Sequence, residues 1–184
     1  MKRLVLLLMS AVLVYGQEAN APRTTQELVS RAPAPLEIQG LDRAIQQLYA
    51  SISGPAGKKR DPDAFRAMFV KEWGRLSVMG KDPQSGAMSV HILSPDDYIA
   101  KSFPYLEKNG FYEVEAARRT ERFGDIVSVW STYESRHNPG EAPFARGINA
   151  IQFVNDGGSW KILSLVWEGE RPDLKLPQEY ETSK

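Results

Sequence analysis

The chain has 184 residues with 23 basic and 23 acidic side chains, so its formal net charge is zero. This balance gives no electrostatic reason to expect nucleic acid or an anionic membrane surface as a partner. The sequence contains no cysteine, which excludes disulfides and a lipid anchor attached through a cysteine. The length suits one domain with a flexible lead-in.

Residues 1–16 predict a signal peptide. Two basic residues precede a nearly unbroken apolar run, Leu4–Tyr15, which is too short to span a bilayer comfortably. Val14 and Gly16 are small enough for the cleavage site of a signal peptidase, so we expect cleavage after Gly16. An uncleaved membrane anchor is the alternative. We therefore expect an exported protein, periplasmic or extracellular in a bacterium, with no membrane contact after cleavage.

A linker and a first helix follow the signal peptide. Residues 17–40 are polar and rich in proline, which predicts a flexible linker. The domain is expected to begin at Leu41, where apolar residues recur at helical spacing, and Gly54-Pro55 ends this pattern. The apolar stripe of the helix consists of Leu41, Ile45, Leu48, Tyr49 and Ile52.

Several short elements precede the main sheet. A basic loop at 58–60 is expected to be solvated. Asp61-Pro62 then fits an N-cap followed by proline at the first helical position. Short strands are expected at 76–79 and 88–93.

A longer helix is expected to begin at Ser94-Pro95 and to stop at Asn109-Gly110. The hydroxyl of Ser94 and the acids that follow it suit the positive end of a helix. Pro104 lies inside this segment, which predicts a kink or a break there.

The C-terminal third, 111–168, predicts four antiparallel strands in succession. Gly124-Asp125 fits a two-residue hairpin turn, as does either Asp156-Gly157 or Gly157-Gly158. Alternation leaves one face of each of the last three strands without charge, and we place that face inward, towards the helices. A slip of one residue would turn every side chain to the other face, so agreement between strands supports this assignment. The strand before Gly124 carries charge on both faces.

Polar side chains on the inner face are candidates for a ligand pocket. The candidates are Ser131, Tyr133, Asn149 and Ser164 on the sheet, Arg118 on the first of the four strands and Tyr49 on the first helix. Buried hydroxyl and amide groups need hydrogen-bond partners, which could be one another, water or a ligand. Arg118 would pair with a carboxylate such as Asp96 or Asp97, bind an anionic or carbonyl group, or extend to the rim.

The predicted outer face is unusually apolar for a sheet that faces solvent. Its candidate interface residues are Trp130, Leu163, Leu165 and Trp167. Such a patch suggests a partner surface, most simply that of a homodimer. Packing of the C-terminal tail, 169–184, across the sheet is the competing explanation.

Three short segments carry a family resemblance through their order and spacing. Arg60-Asp61-Pro62-Asp63-Ala64-Phe65 precedes the first strand, Gly124-Asp125-Ile126-Val127 opens a strand, and Gly158-Ser159-Trp160-Lys161-Ile162 opens the last. From 41 to 168 the chain resembles the nuclear-transport-factor-2-like superfamily, in its SnoaL-like group of bacterial exported proteins. The resemblance implies an α+β, cone-shaped fold, in which a curved antiparallel sheet wraps around two to three N-terminal helices. It also implies a pocket between these layers and frequent dimers.

The family does not imply one function, because its members include isomerases, dehydratases, cyclases, hydrolases and non-catalytic binding domains. Isomerase-type members use a buried carboxylate as general base beside a tyrosine or a protonated acid. Tyr49 or Tyr133 would supply the tyrosine here. No acid or histidine falls on the predicted inner face of the sheet, so the base would come from Asp96, Asp97 or Glu72 on or beside the helices.

Dehydratase-type members rely on a histidine and an aspartate. His91 and His137 are the only histidines. His137 precedes Asn138-Pro139-Gly140, which predicts an exposed loop, and His91 has no acid at an obvious partner position. Two histidines without cysteine do not favour a metal site, and no cofactor is expected.

The first hypothesis is an exported domain that binds a small apolar or amphipathic ligand in the cone, as a homodimer. The alternative is an isomerase- or dehydratase-type enzyme with a helix-borne carboxylate and a pocket tyrosine. A second alternative is a protein-interaction module that uses the outer face of the sheet.

Overall fold

The computed structural model describes residues 35–82 and 84–181. Its helices are α1 (Pro35–Ile52), α2 (Pro62–Ala67) and α3 (Pro95–Asn109), and its strands are β1 (Arg75–Lys81), β2 (Met88–Leu93), β3 (Tyr112–Phe123), β4 (Ile126–Arg136), β5 (Ala145–Asn155) and β6 (Trp160–Gly169). The predicted signal peptide and most of the predicted linker lie outside the described residues, so export stays a prediction. Helix α1 begins at Pro35 rather than at Leu41, so the end of the predicted linker is helical. No helix in the described ranges is long and apolar enough to cross a membrane.

The helices form for the reasons that the sequence suggested. The five predicted stripe residues of α1 are all buried. The carboxylate of Asp61 accepts the backbone N–H groups of Asp63 and Ala64 at 3.0 and 2.9 Å, which caps α2. Ser94 and Asp97 form a reciprocal capping box at the start of α3. Pro104 lies within α3, and the predicted break there is wrong because the helix is continuous to Asn109.

The six strands form one curved, unclosed sheet in the order β2-β1-β6-β5-β4-β3. All neighbouring strands are antiparallel except β1 and β6, which are parallel, so the sheet is mixed rather than wholly antiparallel. The core lies between its inner face and the apolar faces of the helices. The predicted α+β fold is confirmed.

The two hairpins follow the predicted turns. Phe123 pairs with Ile126 across Gly124-Asp125, where Gly124 has a φ of 56° that suits glycine. In the second hairpin the backbone N–H of Asp156 donates to the Ser159 carbonyl at 3.2 Å. The register is therefore that of the Gly157-Gly158 alternative.

A β-bulge in β6 reverses the predicted faces beyond it. Phe153 pairs with Ile162, but Gln152 pairs with Ser164, so Leu163 is an extra residue. An extra residue shifts the two-residue alternation by one position, which exchanges the inner and outer faces from that point on. The placement of Ser164 on the inner face is wrong, because it shares the outer face with the exposed Gln152.

The same bulge turns two predicted interface residues to the inner face. Leu165 is buried opposite Ile151 in the core, and Trp167 lies opposite Asn149 and packs against that core. Their placement on the outer face is therefore wrong. Leu163, the extra residue itself, remains exposed, as predicted.

A second bulge, in β3, brings two acids to the inner face. Glu115 pairs with Tyr133 and Ala117 with Thr132, so Ala116 is the extra residue. Glu113 and Glu115 consequently share the inner face with Arg118, which lies opposite Ser131 as predicted. The expectation that the inner face of the sheet carries no acid is wrong.

Candidate functional site

A cavity of about 400 Å³ lies between α3 and the inner face of the sheet. Its wall is mostly apolar and rich in aromatic side chains. The lining residues are Leu48, Ile52, Phe65, Leu76, Tyr98, Lys101, Ser102, Tyr105, Leu106, Phe111, Glu113, Tyr133, Ser135, Phe144, Ala145, Asn149, Leu165 and Trp167. Tyr105 and Phe144 are exposed and Leu106 and Leu165 are buried, so the cavity runs from an accessible rim to the core.

Glu113 is the only acid among the described residues that line the cavity. Its carboxylate accepts hydrogen bonds from the Ser135 hydroxyl at 2.9 Å and from the Asn149 amide at 3.3 Å. Burial raises the pKa of the Glu113 carboxyl, although these two hydrogen bonds act in the opposite direction. A carboxyl whose pKa is raised by burial in an apolar cavity is a candidate for proton transfer to and from a ligand.

The sequence reasoning missed Glu113, but a signal for it exists. The charged residues Glu113, Glu115 and Arg118 are spaced by two and then by three positions. A regular strand cannot place all three on one face, whereas a strand with one extra residue does. The spacing of these three residues, rather than charge on both faces, is the signal, because Arg119 and Glu121 leave charge on the other face as well.

Two of the predicted pocket residues, Tyr133 and Asn149, line the cavity. Burial is the main cause that raises the pKa of Tyr133 to about 12, so its hydroxyl stays protonated at neutral pH. A Cβ atom on Gly147 would lie 2.6 Å from the Tyr133 hydroxyl oxygen. Glycine at this position therefore lets the tyrosine pack closely against β5.

Two other candidates, Tyr49 and Ser131, form a buried support behind the cavity. The Ser131 hydroxyl donates to Glu115 at 2.5 Å, so the Tyr49 hydroxyl must donate to Ser131, at 2.7 Å. The Asn149 amide in turn donates to the Tyr49 oxygen at 3.1 Å. The Asn149 amide has two N–H groups, so it donates one to Tyr49 and the other to Glu113.

Arg118 is held by carboxylates beyond this support. Its guanidinium contacts Glu115 at 2.6 Å and Asp42 of α1 at 2.5 Å. The alternative that it pairs with a carboxylate is confirmed, but the partners are not Asp96 or Asp97. Arg118 does not line the cavity and fixes α1 against β3.

The carboxylates expected from the helices do not reach the cavity. Asp96 pairs with Arg66 at 2.5 Å, Asp97 caps α3, and the Glu72 side chain is 73% exposed. The helix-borne carboxylate of the enzyme hypothesis is therefore wrong, because the acid in the cavity is a strand residue.

The histidines and the basic loop are not among the residues that line the cavity. His91 is exposed on β2, and the His137 ring stacks on Phe144 with 4.4 Å between centroids. Arg60 is buried rather than solvated, because its guanidinium donates to backbone carbonyls at the end of α1. No group of three acidic or histidine side chains in the described ranges could hold a metal ion.

The C-terminal tail covers part of the outer face. Thr132 donates to the Tyr180 carbonyl at 2.5 Å, and the Trp130 and Tyr180 rings lie 5.9 Å apart. Arg119 pairs with Glu179 at 3.3 Å. The competing explanation for the apolar outer face is thus observed for one part of it, although Trp130 remains 45% exposed.

Comparison with solved structures identifies the fold. A protein of unknown function with a cystatin-like fold from Nostoc punctiforme aligns with a TM-score of 0.57 at 12% identity, over 78% of this chain and 98% of that chain. A protein provisionally named scytalone dehydratase from Novosphingobium aromaticivorans aligns with 0.53 at 17% identity, over 77% and 90%. A provisional dehydratase of the NTF2-like family from Streptomyces avermitilis aligns with 0.53 at 12% identity, over 74% and 97%.

No family model and no curated protein matches the sequence. The three-dimensional likeness agrees with the resemblance carried by the sequence segments, at the level of fold. The described chain therefore has the nuclear-transport-factor-2-like fold.

Proposed function

We propose that this protein binds a small, mainly apolar molecule in the cavity, and that one polar group of this molecule contacts Glu113. The cavity itself supports the proposal most strongly. Its volume of about 400 Å³ falls within the range of small-molecule sites, which is about 300–1,000 Å³. Apolar walls with few convergent polar groups are typical of such sites. The predicted signal peptide further supports a role outside the cytoplasm.

Titration of the ¹⁵N-labelled protein with benzyl alcohol tests this proposal by nuclear magnetic resonance. We expect saturable binding, with chemical-shift changes at residues that line the cavity. Ala145→Trp should weaken this binding, because Ala145 is a half-buried residue of the wall. The matched control is Ala100→Trp, an exposed position on α3 that does not line the cavity.

Two results would contradict the proposal. One is a set of shift changes that lie away from the cavity. The other is equal affinity in the folded Ala145→Trp and Ala100→Trp variants.

An acid–base enzyme is the second candidate, favoured by the environment of Glu113. The carboxyl has a raised pKa, and Tyr98 and Tyr133 line the same cavity. A Glu113 carboxylate could take a proton from a carbon next to a carbonyl and return it elsewhere on the substrate, which is an isomerisation. Loss of a hydroxyl group as water after the same proton removal is a dehydration. Two fold neighbours with provisional dehydratase names agree with this chemistry.

Exchange of carbon-bound protons for deuterium tests the enzymatic candidate. 2-Tetralone in D₂O carries acidic protons next to its carbonyl, and its deuterium content is measured by nuclear magnetic resonance. We expect faster exchange with the wild-type protein than with Glu113→Gln. Equal exchange rates for the two proteins would reject proton transfer by Glu113 and leave the binding proposal intact.

A further inference from the structure

Ionisation of Glu113 would place a negative charge in the cavity that its neighbours do not balance. Its two hydrogen-bond donors, Ser135 and Asn149, are neutral groups. No basic side chain in the described ranges forms an ion pair with it, whereas Glu115 on the same strand pairs with Arg118 at 2.6 Å. Neutral donors stabilise a buried carboxylate but leave its charge without a counter-charge, which is costly in an apolar surrounding.

The basic residues nearby do not serve as its partner. Arg118 is held by Glu115 and Asp42. Lys101 is the only base among the described lining residues of the cavity, and its side chain is exposed. An ionised Glu113 would therefore have no cationic partner among the described side chains that line the cavity.

Aromatic rings form a large part of the cavity wall. Tyr98, Phe111, Phe144 and Trp167 are among the lining residues. The face of an aromatic ring attracts a cation, and aromatic cages use this attraction to hold substituted ammonium groups. Tyr98 and Glu113 line the same cavity, so a ligand there can contact both the ring and the carboxylate.

We propose that the ligand of this cavity is a small amine, whose ammonium group pairs with Glu113 and whose apolar body contacts the aromatic wall. The inference rests on the proposed binding function and adds the charge of the ligand to it. An ammonium group supplies the counter-charge and donates hydrogen bonds to the carboxylate. A neutral alcohol supplies only a hydrogen bond, and an anion is repelled by Glu113.

Benzylamine and benzyl alcohol test the inference, because they share one ring and differ in the charge of the polar group at pH 7. Affinities are measured on the full chain by nuclear magnetic resonance titration. We expect benzylamine to bind at least about tenfold more tightly, which corresponds to about 1.4 kcal/mol. Glu113→Gln should remove this preference, so that benzylamine and benzyl alcohol bind to the variant with affinities equal within about threefold. Glu121→Gln, which removes an exposed acid from the same strand, should keep the preference.

Failure of the inference and failure of the proposed binding function would give different results. Equal affinity of the wild-type protein for the two ligands overturns the inference while the binding function stands, and this comparison does not depend on whether a variant folds. A preference for benzylamine that survives in Glu113→Gln also overturns it. Failure of both ligands to bind in the cavity would reject the binding function together with the inference.

Discussion

Replacement of Tyr49 by phenylalanine tests the buried support behind the cavity. The change removes one hydroxyl and keeps the ring in the core, where Tyr49 is 6% exposed. Two hydrogen bonds disappear, one to Ser131 at 2.7 Å and one from Asn149 at 3.1 Å. The substitution therefore isolates the hydroxyl from the packing of the ring.

The expected loss of stability follows from the hydrogen bonds that Ser131 and Asn149 retain in the variant. Ser131 keeps its hydrogen bond to Glu115, and Asn149 keeps its hydrogen bond to Glu113. Neither partner is left wholly unsatisfied, so the net value of about 1 kcal/mol for each lost bond applies. We expect the free energy of unfolding to fall by about 2 kcal/mol. For a domain of this size that lowers the Tm by about 4–8 °C.

Urea unfolding followed by circular dichroism measures the effect, with Tyr105→Phe as the matched control. Tyr105 is 56% exposed, so loss of its hydroxyl should change the free energy of unfolding by less than about 0.5 kcal/mol. Affinity for benzyl alcohol should change little in Tyr49→Phe, since Tyr49 does not line the cavity. If the two variants are equally stable, the network does not support the site as described.

Four other predictions concern stability and assembly. Burial raises the pKa of Glu113 above its unfolded value, so ionisation opposes folding. The stability of the wild-type protein relative to Glu113→Gln should therefore fall as the pH rises from about 4 through the folded pKa. An opposite slope in urea unfolding would exclude the raised pKa. Arg60→Met should lower the free energy of unfolding by about 3 kcal/mol, since three carbonyls lose their donor at about 1 kcal/mol each. The exposed Lys59→Met is its control, and similar losses would contradict the assigned role of the guanidinium. Gly147→Ala should cost more than about 2 kcal/mol in thermal unfolding, because its Cβ would lie 2.3 Å from the Glu168 carbonyl oxygen; a neutral effect would disprove this close approach. Light scattering should detect a dimer if the exposed part of the outer face binds a second copy, and a stable monomer would count against a permanent self-interface.

Local patterns were sufficient to predict most of the elements. The apolar stripe of α1, the cap of α2 at Asp61 and the capping box of α3 at Ser94 each depend on residues within one or two turns of the helix. The turn at Gly124-Asp125 depends on adjacent residues in the same way. Such features can be predicted from a sequence because the interacting groups are close along the chain.

The candidate site was predicted only in part, since its key residues meet across the sheet. Tyr133 and Asn149 were placed correctly because no bulge interrupts β4 and β5 near them. Glu113 was missed, and Ser164, Leu165 and Trp167 were assigned to the wrong faces. All four lie beyond a bulge, where the alternation of side chains is shifted by one residue.

The buried position of Arg60 could not be derived from its neighbours in sequence. Lys58, Lys59 and Arg60 form a basic run that is typical of a solvated loop. Only the folded chain brings carbonyls of Ile52 and Gly54 around the guanidinium, which satisfies its donors and permits burial.

The sequence alone therefore determined the order of helices and strands, the turn at Gly124 and the fold family that they resemble. The tertiary structure decided which side chains meet in the cavity. An extra residue at Ala116 turns Glu113 inward, and an extra residue at Leu163 turns Trp167 inward. Whether a strand contains a bulge depends on how it pairs with strands that are far away in the sequence. For this reason the acid in the cavity was identified only after the strands were placed side by side.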